Sequence, residues 1–224
     1  MLRIILSCLL IASPAGADCR LALALAVDVS RSVDAADFVI QTEGLAAALE
    51  DDAVRQAIFA EGGTVALAVY FWSGRDHQQL ILGWTEITSP GVLDGVVDVV
   101  RRTPRPKQSL PTALGRALSY GHTLLSAAPA CRRRVLDMAG DGRNNDGMSA
   151  AKAYERADFA DIVVNGLAVG EHETDVVDYY RNEVIRGIGA FVEVAPTQAD
   201  YPPAIRRKLL RELTEAVALN AAEP

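Results

Sequence analysis

Leu21–Ser32, LALALAVDVSRS, constrains the fold more than any other stretch of this chain. Its first seven residues, Leu21 to Val27, are all apolar, so the segment reads as a strand buried on both faces, the kind found in parallel sheets covered by helices. The run breaks at Asp28, Ser30 and Ser32. Three oxygen-bearing side chains therefore stand at the strand's carboxyl end, where open α/β sheets keep their sites. Hydroxyl and carboxylate oxygens together suit a hard cation such as Mg²⁺, with further ligands arriving from elsewhere; Thr112 and Asp141 are the candidates. Standing alone, the three residues are equally readable as caps on the helix that follows.

Downstream, strand and helix patterns alternate. Asp34, with Asp37 three residues on, opens a helix whose stripe is Phe38, Thr42, Leu45 and Leu49. Gly62-Gly63 breaks the chain before Thr64–Trp72, a second central strand. Leu80–Ile87 is a short edge strand, flanked by Gln78 and Gln79. Ser89-Pro90 starts a helix carrying Val92 to Val100, and a proline-rich loop, Thr103–Pro111, leads to Thr112 at the head of another. Arg134–Gly140 reads as a core strand ending at Asp141-Gly142. A helix over Ala150–Phe159, a strand over Ile162–Val169, a helix over Asp175–Ile185, a strand over Ala190–Val194 and a helix over Pro203–Val217 complete the pattern. The class is α/β, doubly wound, with a mostly parallel sheet, helices on both faces and one short edge strand.

The chain has 224 residues, half of them apolar, enough for one core. Residues 1–17 read as a signal peptide: Arg3, an apolar run over Ile4–Ile11 and Ala15-Gly16-Ala17 as the cleavage site. The remainder, 18–224, reads as a single domain. The apolar run is too short to span a bilayer, and Asp18 before Cys19 is unlike a lipoprotein signal, so a soluble exported protein, periplasmic or secreted, is expected. A formal net charge of −7 argues against nucleic acid and anionic membranes as partners. Cys8 would leave with the signal; Cys19 and Cys131 remain, as a disulfide or as two small buried side chains.

These residues together resemble a von Willebrand factor A domain with a metal-ion-dependent adhesion site. The family's Asp-x-Ser-x-Ser is matched by Asp28-Val29-Ser30-Arg31-Ser32, its loop threonine by Thr112 and its Asp-Gly by Asp141-Gly142, across nearly the whole chain after residue 19. Trp72-Ser73-Gly74, Gly140-Asp141-Gly142 with Asn144-Asn145, and Asn165-Gly166-Leu167 are similar to segments of an uncharacterised group of short, exported bacterial members. The resemblance implies a Rossmann-like fold with Ser30, Ser32 and Thr112 as direct hydroxyl ligands of Mg²⁺ or Mn²⁺. Asp28 and Asp141 would act largely through bound water. Neutral ligands leave the ion electrophilic and one ligand short, so a partner protein's acidic side chain completes it. The implied function is a non-catalytic, metal-dependent protein-binding module. A metal-dependent hydrolase and a structural module with a degenerate site are the alternatives.

Two departures matter. Pro111 stands where the family usually has glycine before its threonine, which stiffens the loop, and Gly140 stands where the family often has threonine, which removes a supporting hydroxyl. The fold also implies that the first and fourth strands are parallel neighbours, placing Cys19 and Cys131 near the same end, roughly 5 Å apart and within disulfide reach. By the same topology Trp72, Ser73 and Asn144 would lie on a rim that contacts the partner.

Other residues carry less. His77, His122 and His172 have no metal-ligand spacing and read as surface or packing residues. No Gly-x-Ser-x-Gly elbow or phosphate-binding glycine loop is present. Tyr179-Tyr180 reads as half core and half surface, and Arg132–Arg134 as a solvated approach to a strand.

Overall fold

The computed structural model describes residues 18–107 and 109–221; the expected signal segment lies outside the described residues. Six strands form one sheet: β1 (Cys19–Asp28), β2 (Thr64–Trp72), β3 (Gln78–Ile87), β4 (Cys131–Gly140), β5 (Ile162–Val169) and β6 (Val192–Ala195). Their order is β3-β2-β1-β4-β5-β6, parallel except for β3. The helices are α1 (Ala35–Glu50), α2 (Asp52–Ile58), α3 (Pro90–Arg102), α4 (Leu114–Ser126), α5 (Ala150–Arg156), α6 (Val176–Tyr179) and α7 (Tyr201–Ala221). The doubly wound class read from the sequence is the class observed.

All ten residues of β1 are buried, and its alternation of leucine and alanine sorts the two layers. Leu21, Leu23, Leu25 and Val27 face one core with side chains of α1, α3 and α7, such as Leu45, Leu93 and Ile205. Ala22, Ala24 and Ala26 face the other with Leu118 of α4, Tyr70, Trp72 and Tyr180. Each buried leucine contributes about 2 kcal/mol, while the alanines leave room for large rings on their side.

Several boundaries move for physical reasons. β4 begins at Cys131 rather than Arg134 because Cys131 pairs in register with Cys19, and the two are joined by a disulfide with Cα atoms 4.5 Å apart. Closing a 112-residue separation restricts the unfolded chain, an entropic effect worth about 4–5 kcal/mol. Arg132, Arg133 and Arg134, expected as merely solvated, pair with Asp18, Glu215 and Asp161. β3 is ten residues long and not short; its exposed positions hide it from a search for apolar runs. The sequence reading missed α2, which is capped by the Asp51 side chain at the N–H groups of Ala53 and Val54 and buries only Val54 and Ile58. After α6 the helix widens into a π turn over Tyr180–Val184, which keeps Val176, Tyr180 and Val184, spaced by four, on the core side.

Two buried charges hold the layers. Arg20 is fully buried and donates to the carbonyls of Gly63, Ala57, Ile58 and Leu213. Under α7, Lys208 Nζ lies 2.7 Å from Asp137 Oδ2 and 2.7 Å from Glu212 Oε1, with Asn165 donating to Glu212 Oε1 at 2.8 Å. Two carboxylates thus share one ammonium, all three groups buried. Burial, opposed by Lys208 and assisted by the charge of Glu212, pushes the Asp137 carboxyl up to about 7.

In the unfolded chain Asp137 ionises in the ordinary carboxylate range, so the folded state binds the extra proton. Its contribution is complete below that range, falls as pH rises towards about 7, and is flat above. The stability difference between wild type and Asp137→Asn, from urea denaturation of metal-free protein, should shrink by on the order of 4 kcal/mol between about pH 4 and about pH 7. A difference independent of pH would show that Asp137 is ionised throughout.

Candidate functional site

β1 and β4 are neighbours whose outgoing connections leave in opposite directions, and a crevice opens at their carboxyl ends. Asp28, the last residue of β1, accepts the backbone N–H of Ser30 on Oδ1 at 2.7 Å. That turn curls the loop so that Ser30 and Ser32 come round together, their hydroxyl oxygens 3.2 Å apart. Ser32 Oγ donates to Asp141 Oδ1 at 2.6 Å, and Thr112 Oγ1 donates to Ser30 Oγ at 3.3 Å. The structure therefore brings all five sequence-derived candidates into one cluster. Among the described residues no group of three or more His, Cys, Asp or Glu side chains is gathered for a metal; the donors here are chiefly hydroxyls.

Thr112 is held from three sides. The main chain of its loop meets the β1 loop through Arg31 N to Leu110 O at 2.8 Å, and the end of β2 through Ala113 N to Ser73 O at 2.8 Å. Its own N–H donates to Asn145 Oδ1 at 2.8 Å, and its carbonyl accepts from Asn145 N at 2.9 Å. Asn144 Oδ1 accepts from Gly115 N at 3.2 Å, capping a helix whose own N-cap, Ala113, has no side-chain oxygen to offer. The polar loop after Asp141 thus fixes the position of Thr112.

Asp28 and Asp141 are both fully buried; the imidazole of His172 approaches them, its Nε2 3.9 Å from Asp141 Oδ2. Burial, and then the charge of Asp141, raises the Asp28 carboxyl well above its usual range; burial likewise raises Asp141, against the hydrogen bond from Ser32. Buried carboxylates with raised proton affinity beside three hydroxyl oxygens form a donor set suited to a hard divalent cation. A buried relay supports Asp141 from behind, Gln41 donating to Gln198 Oε1 at 3.2 Å and Gln198 Nε2 donating to Asp141 Oδ2 at 3.5 Å. The cluster opens into a cleft of about 500 Å³ lined by Arg31, Ser32, Thr112, Asp141, His172 and Glu173.

The rim differs from the expectation. Trp72 and Ser73 are buried, Trp72 in the core beside Tyr70, because β2 is central and its last residues lie under the loop of Thr112. Asn144 is half-buried and engaged with Gly115. Arg31, His172 and Glu173 take their place at the mouth; Arg31 was inside the recognised motif, but nothing in the sequence joined residues 172 and 173 to it.

A family model described as "Protein of unknown function (DUF1194)" matches residues 18–217. No curated protein matches the sequence. Among solved structures, a von Willebrand factor type A protein from Catenulispora acidiphila superposes with a TM-score of 0.62 at 14% identity, over 88% of this chain and 43% of that one. Proximal thread matrix protein 1 from the mussel byssus, in a form whose adhesion-site motif is occupied by zinc, gives 0.58 at 11% identity over 90% of this chain and 49% of that one. The pilus adhesin SpaC from Lactobacillus rhamnosus GG gives 0.60 at 12% identity over 90% and 31%. This chain spans less than half the length of each of these structures. The fold is that of a von Willebrand factor A domain.

Gly115 tests the packing of the Asp141 loop on α4, since a Cβ there would stand 2.2 Å from the carbonyl oxygen of Met148 and 2.5 Å from that of Ser149. Gly115→Ala must displace backbone and is expected to lower stability by about 2–4 kcal/mol. Gly95→Ala, facing open space in α3, should leave stability unchanged or raise it by up to about 1 kcal/mol. Equal midpoints for the two variants in denaturant titrations would contradict this packing.

Proposed function

We propose, from the premise that this chain belongs to the DUF1194 family and has a von Willebrand factor A fold, that it is an exported protein-binding module dependent on a divalent metal. The observation that carries the reading is the cluster of three hydroxyls and two buried carboxylates drawn from three loops. Ser30, Ser32 and Thr112 would hold Mg²⁺ or Mn²⁺, with Asp28 and Asp141 balancing its charge. When bound, the ion supplies an electrophilic position for an oxygen of a partner protein's acidic side chain. Arg31 at the mouth of the cleft offers a guanidinium to a negatively charged ligand, beside the carboxylate of Glu173.

One further observation agrees with export: Cys19 and Cys131 form a disulfide, which persists in oxidising compartments. No helix among the described residues is long and apolar enough to cross a membrane. With the signal expected over residues 1–17, the working unit is residues 18–224, periplasmic or secreted. A metal-dependent hydrolase is the second reading, favoured by one observation: the His172 imidazole, half-exposed at the site.

Calorimetric titration of residues 18–224 with Mg²⁺ and with Mn²⁺ tests the proposal. Wild type is expected to bind, acetate to tighten the metal, and Asp28→Ala, with circular dichroism unchanged, to weaken it by about 100-fold or more. No binding of either ion by wild type would leave a fold with a degenerate site. Metal-dependent release of p-nitrophenol from its phosphate ester, lost in His172→Ala, would replace the binding module by the hydrolase.

A further inference from the structure

Only one of the two oxygens of Asp28 has a partner. Oδ1 accepts from Ser30 N, whereas Oδ2 is buried and has none. The hydroxyl of Tyr180 and the indole Nε1 of Trp72 are also buried and unpartnered. All three side chains converge on Gly140, the last residue of β4. A Cβ on Gly140 would stand 2.5 Å from Tyr180 Oη, 3.0 Å from Asp28 Oδ2 and 3.2 Å from Trp72 Cζ2. An acceptor without a donor and a donor without an acceptor thus face the same small space over a bare Cα.

Asp28, Tyr180 and Trp72 are each fully buried, and Tyr180 packs so closely on β5 that a Cβ on Gly166 would stand 2.6 Å from its ring. A phenol is protonated at neutral pH, so towards a carboxylate it can only donate. Its place depends on the π turn after α6, which carries Tyr180 on the core face.

We propose that Tyr180 is a positioning residue for the metal site: its hydroxyl and Asp28 Oδ2, which stand outside hydrogen-bond geometry in this structure, close into a hydrogen bond across the open face of Gly140, because two buried polar groups facing one space are costly to leave unpaired. With Ser30 N on Oδ1 and Tyr180 on Oδ2, the plane of the carboxylate is fixed from both sides, and the β1 loop that carries Ser30 and Ser32 is fixed with it. This rests on the reading of Asp28 as part of a metal site. It adds that a residue of the sixth helical segment, remote in sequence from every candidate ligand, sets how that site is presented.

Tyr180→Phe removes one oxygen and keeps the ring, so packing on Gly166 is preserved. Two measurements decide. In metal-free protein, proton NMR should show a slowly exchanging hydroxyl resonance that is absent in Tyr180→Phe and displaced in Asp28→Asn. By electron paramagnetic resonance, Mn²⁺ affinity should fall about 10–100-fold in Tyr180→Phe, while the metal-free thermal midpoint moves by only a few degrees. Wild-type affinity in Tyr180→Phe, or a hydroxyl resonance indifferent to Asp28→Asn, would overturn the proposal. Failure of wild type itself to bind Mn²⁺ would overturn the metal reading and the role of Tyr180 with it, and the hydroxyl resonance tells that failure apart from a missing hydrogen bond.

Discussion

Everything in this structure hangs on the burial of β1 along its whole length. It is paired with β2 on one edge and β4 on the other and covered on both faces, so its main chain is satisfied by the sheet and its side chains have no access to water. Polar chemistry can enter such a strand only at its ends. One end carries Cys19 and Arg20, the other Asp28 and the serines, and the two ends hold the fold and the site respectively. The register that makes Cys19 and Cys131 partners continues to Val27 and Ala139, so Asp28 comes level with Gly140 and Asp141 follows one residue beyond.

Much of this was legible in the sequence because it is written in apolar periodicity. β2 and β5 have the boundaries the sequence predicts, and α1 begins where Asp34 and Asp37 predict a capping box. What was not legible has a common cause. α2 and the first residues of β3 and β4 are polar on the surface side, so composition alone does not separate them from loops. The alternation of leucine and alanine in β1 was visible but ambiguous, since only the placement of α4 shows which face needs small residues.

The site divides in the same way. Asp28, Ser30, Ser32 and Asp141 are legible because they lie at or just past strand ends, and Thr112 because it heads a helix after a proline-rich loop; the structure gathers the five. Their supports were not found. Gln198, Gln41, His172 and Tyr180 reach the cluster from elements distant in sequence. Trp72 was misplaced because a strand end was taken for a rim, although a central strand lies beneath the loops that cross it. Gly140, read as the loss of a hydroxyl, is the opening through which another residue approaches.

Arg20 has a consequence for how the chain comes together. Its guanidinium is enclosed by carbonyl oxygens and has no carboxylate partner among the described residues, one of those carbonyls belonging to Leu213, 193 residues away. A cation in a low-dielectric interior is tolerated only when such a cage is whole. The first strand therefore cannot seat its charged end until the last helix has arrived. Loosening of that helix would withdraw an acceptor from a buried cation, so the start of the most buried strand is held in part by the helix farthest from it in sequence.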